Sequence, residues 1–266
     1  MLKNLLFRGR QIEYEIRGEG LPVMMVHGFP SDRRVWDPLL TGLENKYRWI
    51  LPDLPGSGQS DFNGSLTSLV DFADALRAIT EQENILEMVL IGHSMGGYIS
   101  LAFAEKFPER LLSLGLFHSS SYADSTEKKE VRDKNISFIQ KNGAEPFVRQ
   151  SIPGLYSAGF AAGNPPEIQK QVLRYANFNA ESLVLYLTAM KQRPATTGVL
   201  RSFIRPILFI MGEEDKAVPL KDGLEQCHLP PISYIHLLTH TAHMGMIEST
   251  SQCQTIIDRF LQQIPV

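Results

Sequence analysis

Cysteine is scarce: Cys227 and Cys253 are the only two in 266 residues, too few for a disulfide framework. They fall in separate helical patterns near the carboxyl end and read as free thiols. Neither Cys-x-x-Cys nor His-Glu-x-x-His spacing occurs, so metal catalysis has no support and neither a metal nor another cofactor is expected. Long apolar runs are missing too, none approaching the roughly 18 residues of a membrane span. The stretch Met1 to Arg10 is broken by Lys3 and Asn4 and is far shorter than a signal-peptide core. The chain therefore reads as soluble and cytoplasmic, with no membrane partner. Positive charge is not in excess: 26 Lys and Arg stand against 29 Asp and Glu, a net charge of -3. Such a balance gives no field to draw a nucleic-acid backbone, so the expected partner is a small-molecule substrate, bound by a monomer or homodimer. No internal repeat or low-complexity linker occurs.

What is present is a chain that is 43% hydrophobic, enough for one α/β domain with a deep core and an insertion. Leu2 to Phe7 and Gln11 to Arg17 flank Gly9 as the arms of a hairpin. Val23 to Val26, Trp49 to Leu51, Met88 to Ile91, Leu111 to Phe117, Pro206 to Met211 and Ile232 to Leu238 are short apolar runs expected of strands buried on both faces. Helical patterns separate several of them: Leu66 to Glu81 behind Ser65 as a cap, Met95 to Phe107, and about Ser249 to Gln263. Strands alternating with helices imply a mostly parallel sheet, with ligands bound beyond the carboxyl ends of its strands. From about Ser119 to Phe203 no buried strand is visible. Helical patterns follow one another there, at the highly charged Ser125 to Lys141, at Pro166 to Phe178 and at Glu181 to Gln192. Ile152 to Gly163, rich in Gly, Ala and aromatics, is expected to be irregular. The expected division is a core of 1–118 and 204–266 interrupted by a helical cap, 119–203.

Gly92-His93-Ser94-Met95-Gly96 fits the Gly-x-Ser-x-Gly pattern of a nucleophile elbow. Chance supplies such a pentad in roughly one chain in ten of this length. Its context adds weight, because it follows an apolar run and opens a helix. A strained turn that presses helix on strand needs residues without side chains at Gly92 and Gly96.

Over essentially its whole length the chain resembles the α/β-hydrolase fold family, in its serine-nucleophile branch. Besides the pentad, His27-Gly28-Phe29-Pro30 resembles the family's oxyanion loop, and Asp53-Leu54-Pro55-Gly56-Ser57-Gly58-Gln59-Ser60 the loop after the fourth strand. Gly212-Glu213-Glu214-Asp215 and His243, followed by Glu248, resemble the segments that bring the acid and the base. The resemblance implies an eight-stranded, mostly parallel sheet with helices on both faces and an inserted helical cap. It also implies a triad of Ser94, Asp215 and His243. A serine hydroxyl needs an imidazole to take its proton, and the imidazole needs an acid to hold its tautomer. His240 competes as base and Glu213 and Glu214 as acid; the family pattern favours His243 and Asp215. The backbone N–H groups of Phe29 and Met95 are the expected oxyanion donors, since Pro30 cannot donate.

Phe29, Met95, Trp36, Phe147, Leu155, Tyr156 and Phe160 could together line an apolar acyl pocket. His118 either faces that pocket or is a satisfied histidine at a strand end. His27 and His93 read as structural, and Arg33 and Asp53 as parts of loop architecture. Serine at the elbow excludes the aspartate-based dehalogenase and epoxide-hydrolase chemistries of the family. The reading that remains is a serine hydrolase, cleaving a small to medium, largely apolar carboxylic ester or lactone through an acyl-enzyme. Carbon–carbon bond hydrolases and perhydrolase or haloperoxidase relatives share the triad, and a slow-turnover ligand receptor would keep it as well.

Overall fold

A computed structural model describes residues 1–265. Eight strands form one sheet: β1 Leu2–Phe7, β2 Arg10–Arg17, β3 Pro22–Val26, β4 Arg48–Pro52, β5 Met88–His93, β6 Leu111–Phe117, β7 Ile207–Gly212 and β8 Ser233–Leu238. Their spatial order is β1-β2-β4-β3-β5-β6-β7-β8. The first three in that order pair antiparallel, and from β4 onward every pairing is parallel. β5 and β7 are buried at every residue, which is why they read as continuous apolar runs rather than alternating ones.

The helices are α1 Asp37–Leu40, α2 Leu69–Gln82, α3 Met95–Lys106, α4 Thr126–Asn142, α5 Ala144–Ser151 and α6 Ala158–Gly163. They continue with α7 Pro165–Tyr175, α8 Ala180–Gln192, α9 Thr197–Ser202, α10 Leu220–Gln226, α11 Gly245–Glu248 and α12 Thr250–Leu261. α2 packs on α3 and α1 on α12, covering the sheet in two groups. Trp49, Tyr14, Phe72, Phe103 and Phe209 are fully buried in the core between these layers. Cys227 and Cys253 are buried and unpaired. No described helix is long and apolar enough to cross a membrane.

Two local expectations are corrected. The first long helix starts at Leu69 behind Ser68, not at Leu66 behind Ser65. Ser68 wins because Asp71 stands three residues on: the Asp71 N–H donates to the Ser68 hydroxyl, and the Asp71 carboxylate accepts from the Ser68 N–H at 2.9 Å. Leu66 is still buried, so the apolar period runs past the helix that it was taken to mark. Ile152 to Gly163 is not irregular. A 3-10 turn spans Ile152–Leu155, and Ser157 caps α6 by accepting from the Phe160 N–H at 3.3 Å.

Between β6 and β7 the described chain holds helices and no strand. α4 rests against α8 and exposes most of its length, with Ile139 its one buried residue. Ion pairs tie it down: Lys191 with Asp133 at 2.5 Å, Arg132 with Asp124, and Lys128 with Asp222 at 3.6 Å.

Candidate active site

The parallel register brings three strand ends together. The Ser94 N–H donates to the Phe117 carbonyl at 2.9 Å, and the His118 N–H to the Ile210 carbonyl at 2.8 Å. Residues that follow β5, β6 and β7 therefore emerge side by side. Ser94 has φ +51° and ψ -117°, a conformation that costs a non-glycine residue on the order of 1–3 kcal/mol and is kept only where the surroundings enforce it. The enforcement is close packing of backbone on backbone. A Cβ at Gly92 would lie 2.3 Å from the Gly96 carbonyl, and one at Gly96 would lie 2.3 Å from the Val26 carbonyl. α3 thus begins directly against β5 and β3, with Ser94 at its amino terminus.

The loop after β3 passes just as closely. A Cβ at Gly28 would meet Ser94 Cβ at 3.0 Å, which brings the Phe29 backbone close to Ser94. Among the described residues neither the Phe29 nor the Met95 N–H donates to another group. Two free amides flanking Ser94 are what an oxyanion needs. His27 secures this loop: its Nε2 accepts from the Leu54 N–H at 3.1 Å, leaving Nδ1 to donate to the Gly28 carbonyl at 2.8 Å. Asp53 holds the same region, accepting from the Arg33 N–H and the Gln59 N–H at 2.9 Å each and pairing with the Arg33 guanidinium. His93 Nε2 donates to the His243 carbonyl at 2.9 Å. All four residues shape loops.

His243 Nδ1 lies 2.8 Å from Asp215 Oδ2, an arrangement that leaves Nε2 as the basic nitrogen. Asp215 Oδ1 accepts from the Ala217 and Val218 N–H groups at 2.8 and 2.9 Å. Burial alone would raise the Asp215 pKa; the charge of His243 and the contacts of both neighbouring imidazoles outweigh it and hold the carboxyl far below the usual range. The rivals stand outside. His240 has a side chain 91% exposed, 4.0 Å from Glu214, and Glu213 and Glu214 are exposed.

His118 is not a substrate contact. It is fully buried, with Nδ1 3.2 Å from Asp215 Oδ2 but poorly directed for a hydrogen bond. Gly212 and Gly245 make room for it, since a Cβ on either would come within 2.9 Å of its ring. Sequence reasoning missed this second imidazole beside Asp215. The signal was available only in the register, where β6 ends one strand away from β7. His118, Asp215 and His243 are also the one described set of side chains close enough to offer ligands to a metal, their donor atoms lying within 4.8 Å of one another.

A cavity of about 400 Å³ opens over Ser94, within the usual range for small ligands. Phe29, Tyr98, Leu155, Met190 and His243 are among its lining residues. Trp36 is not; it is fully buried, edge-on to His93 and Phe117, and belongs to the core. Phe147 stands behind Phe29 with ring centroids 5.9 Å apart. Tyr156 and Phe160 stack on each other at 5.6 Å and lie outside the lining. Met95 is buried and offers its amide alone. A larger hollow of about 590 Å³ lies between α3 and α9, but it holds no histidine to activate its hydroxyls.

The family model for the alpha/beta hydrolase fold matches residues 22–250. The chain belongs to this family. A thermophilic esterase from Thermogutta terrifontis is 27% identical, with a TM-score of 0.93 and full coverage of both chains. A pimeloyl-(acyl-carrier protein) methyl ester esterase of Legionella pneumophila is 24% identical, over 94% of this chain and 99% of that protein. The dihydrolipoyllysine-residue acetyltransferase component of the Pseudomonas putida acetoin cleaving system is 25% identical over 94% of this chain, which spans 66% of that relative's length.

Proposed function

We propose that this α/β hydrolase is a serine esterase, cleaving small to medium carboxylic esters or lactones through an acyl-enzyme on Ser94. The observation that carries the reading is the shared cavity of Ser94 and His243, with the other nitrogen of His243 bonded to Asp215 at 2.8 Å. Ser94 Oγ attacks the carbonyl carbon while His243 Nε2 takes its proton, and the Phe29 and Met95 amides receive the negative oxygen. Collapse of this intermediate breaks the carbon–oxygen bond, and His243 returns the proton to the departing alcohol. Water then attacks the acyl group by the same route, regenerating Ser94.

Similarity to proteins named as esterases supports an ester rather than an amide. Leu155, Met190 and one face of α4 contribute to the cavity, so the insertion acts as a cap that limits substrate size.

A fluorophosphonate probe tests the mechanism. The protein should label at Ser94 and turn over p-nitrophenyl butyrate many times. Ser94→Ala should abolish labelling and cut turnover by about 10³-fold or more. Esterase activity surviving in Ser94→Ala would overturn the reading, and a trace of turnover in the unaltered protein would point to a ligand receptor instead.

A further inference from the structure

Ser94, Tyr98, Ala102 and Glu105 follow one another along α3 at spacings of four, four and three residues, which puts them on one stripe of the helix. The Tyr98 N–H donates to the Ser94 carbonyl at 3.3 Å, so the two stand one turn apart. Helical side chains lean toward the amino terminus, and the Tyr98 side chain therefore covers the turn that begins at Ser94.

Tyr98 faces two hollows. One is the cavity over Ser94, and the other is a narrow, mostly apolar slot of about 80 Å³ between α2, α3 and α8, with Leu69, Val70, Ala102 and Ala189 in its walls. Along the stripe, Ser94 lines the cavity and not the slot, Ala102 and Glu105 line the slot and not the cavity, and Tyr98 lines both. α8 repeats the order: Met190 borders the cavity, Ala189 and the capping Arg193 the slot. The slot is too small to hold a ligand by itself, but Val70 and Glu105 in its walls are exposed, so it opens to solvent.

Arg193 pins the partition between them. Its Cζ lies 3.8 Å from the centroid of the Tyr98 ring. The same guanidinium is fixed by Asp124 at 2.8 Å, by the Met190 carbonyl at 2.9 Å and by the Tyr122 carbonyl at 3.0 Å. A ring stacked under a cation that is itself bound on its other sides has little room to turn.

We propose that Tyr98 is the specificity-determining residue of this site: it ends the cavity along α3 and shuts an apolar chain of the ester out of a slot that continues the same path. The substrate class narrows to esters whose chain on that side is short. The inference rests on the esterase reading. Each methylene that a longer chain could bury in the slot is worth about fourfold in binding, so the partition withholds a sizeable preference for long chains.

The test follows kcat/KM along two series, p-nitrophenyl alkanoates from acetate to decanoate and alkyl butyrates from methyl to decyl. In Tyr98→Ala the ratio of long-chain to short-chain kcat/KM should rise by about 10-fold or more in the series whose chain runs along α3. Tyr98→Phe keeps the ring and should keep the ratio. Adding Ala102→Leu to Tyr98→Ala refills the slot and should return the ratio toward its original value, a dependence on position 102 that a merely structural tyrosine would not show. Tyr98→Leu carries the same expectation with a smaller rise, should the alanine variant not fold. A ratio unmoved in both series, or a rise that survives Ala102→Leu, in variants that label with fluorophosphonate and hydrolyse p-nitrophenyl acetate, overturns the partition alone. Failure of the unaltered protein to label or to hydrolyse any ester of either series overturns the esterase reading and the partition together.

Discussion

His243 donates its backbone N–H to the carbonyl of Leu155 at 2.9 Å, so the candidate base hangs from the insertion as well as from the loop after β8. Glu248 doubles this link. Its Oε2 accepts from the Ser157 N–H at 2.9 Å, and its Oε1 from the Met244 N–H at 3.1 Å and the Ala242 N–H at 3.2 Å. One carboxylate thus ties both neighbours of His243 to the segment that contributes Leu155 to the cavity.

Glu248→Ala should lower kcat more than it raises KM and cost about 1–3 kcal/mol of stability, because three backbone donors lose a charged acceptor. Glu248→Gln has a single acceptor oxygen and should fall between, keeping one side of the link. Thermal melts and steady-state kinetics on both variants check this order; equal kcat in all three proteins would refute it.

Asp215→Asn should reduce kcat by about 10³- to 10⁴-fold, since an amide nitrogen facing His243 Nδ1 favours the wrong tautomer. His240→Ala, Glu213→Gln and Glu214→Gln should retain turnover close to that of the unaltered protein, because all three lie on the exposed side of the loops. A loss in any of them comparable to Asp215→Asn would reassign the acid or the base.

Gly96→Ala and Gly97→Ala should differ in whether they can be repaired. The new methyl at position 96 would strike the Val26 and His27 carbonyls, at 2.3 and 2.6 Å, where no neighbour can yield. At position 97 it would strike the Ser119 side chain, at 2.2 and 2.5 Å. Ser119→Gly should therefore restore soluble, folded protein in the Gly97→Ala background and do nothing for Gly96→Ala. Activity should return only in part, because the Ser119 hydroxyl donates to the Ser94 carbonyl at 2.8 Å. Equal rescue of both, judged by melting temperature, would contradict the packing.

Acid should destabilise the fold from near neutrality downward. Burial lowers the pKa of His27, His93 and His118, and the charges of His243 and His118 lower that of His93 further. In the unfolded chain these rings take protons near about 6.5, while in the folded protein they resist to lower pH. Between the two values the unfolded state holds more protons, so their contribution is complete above about pH 7 and declines as pH falls. Asp215, with its pKa depressed, adds its own loss only at lower pH, below the ordinary carboxylate value of about 3.9. Melting temperatures by circular dichroism should drop between pH 7.5 and 5; a flat profile would be inconsistent with neutral buried rings.

The elbow was legible because its requirements are local: a buried run, two glycines around a serine, and a helix, all within a few residues. As candidate acid and base, Asp215 and His243 could be singled out from Glu214 and His240 only through the family pattern. The placement of His118 depended on strand order. Trp36 was misjudged because an aromatic residue near the oxyanion loop reads the same whether it faces the cavity or the core, and only the layers of the fold tell which.

The glycines around Ser94 divide the molecule for anyone who would alter it. Positions 28, 92 and 96 admit no side chain without moving a neighbour, so libraries varied there would mostly return unfolded protein. Tyr98, Val131, Leu155 and Met190 are held by helices or a turn around an open cavity, and on the proposed reading variation at these four would redirect substrate choice while Ser94 stays where the backbone has put it.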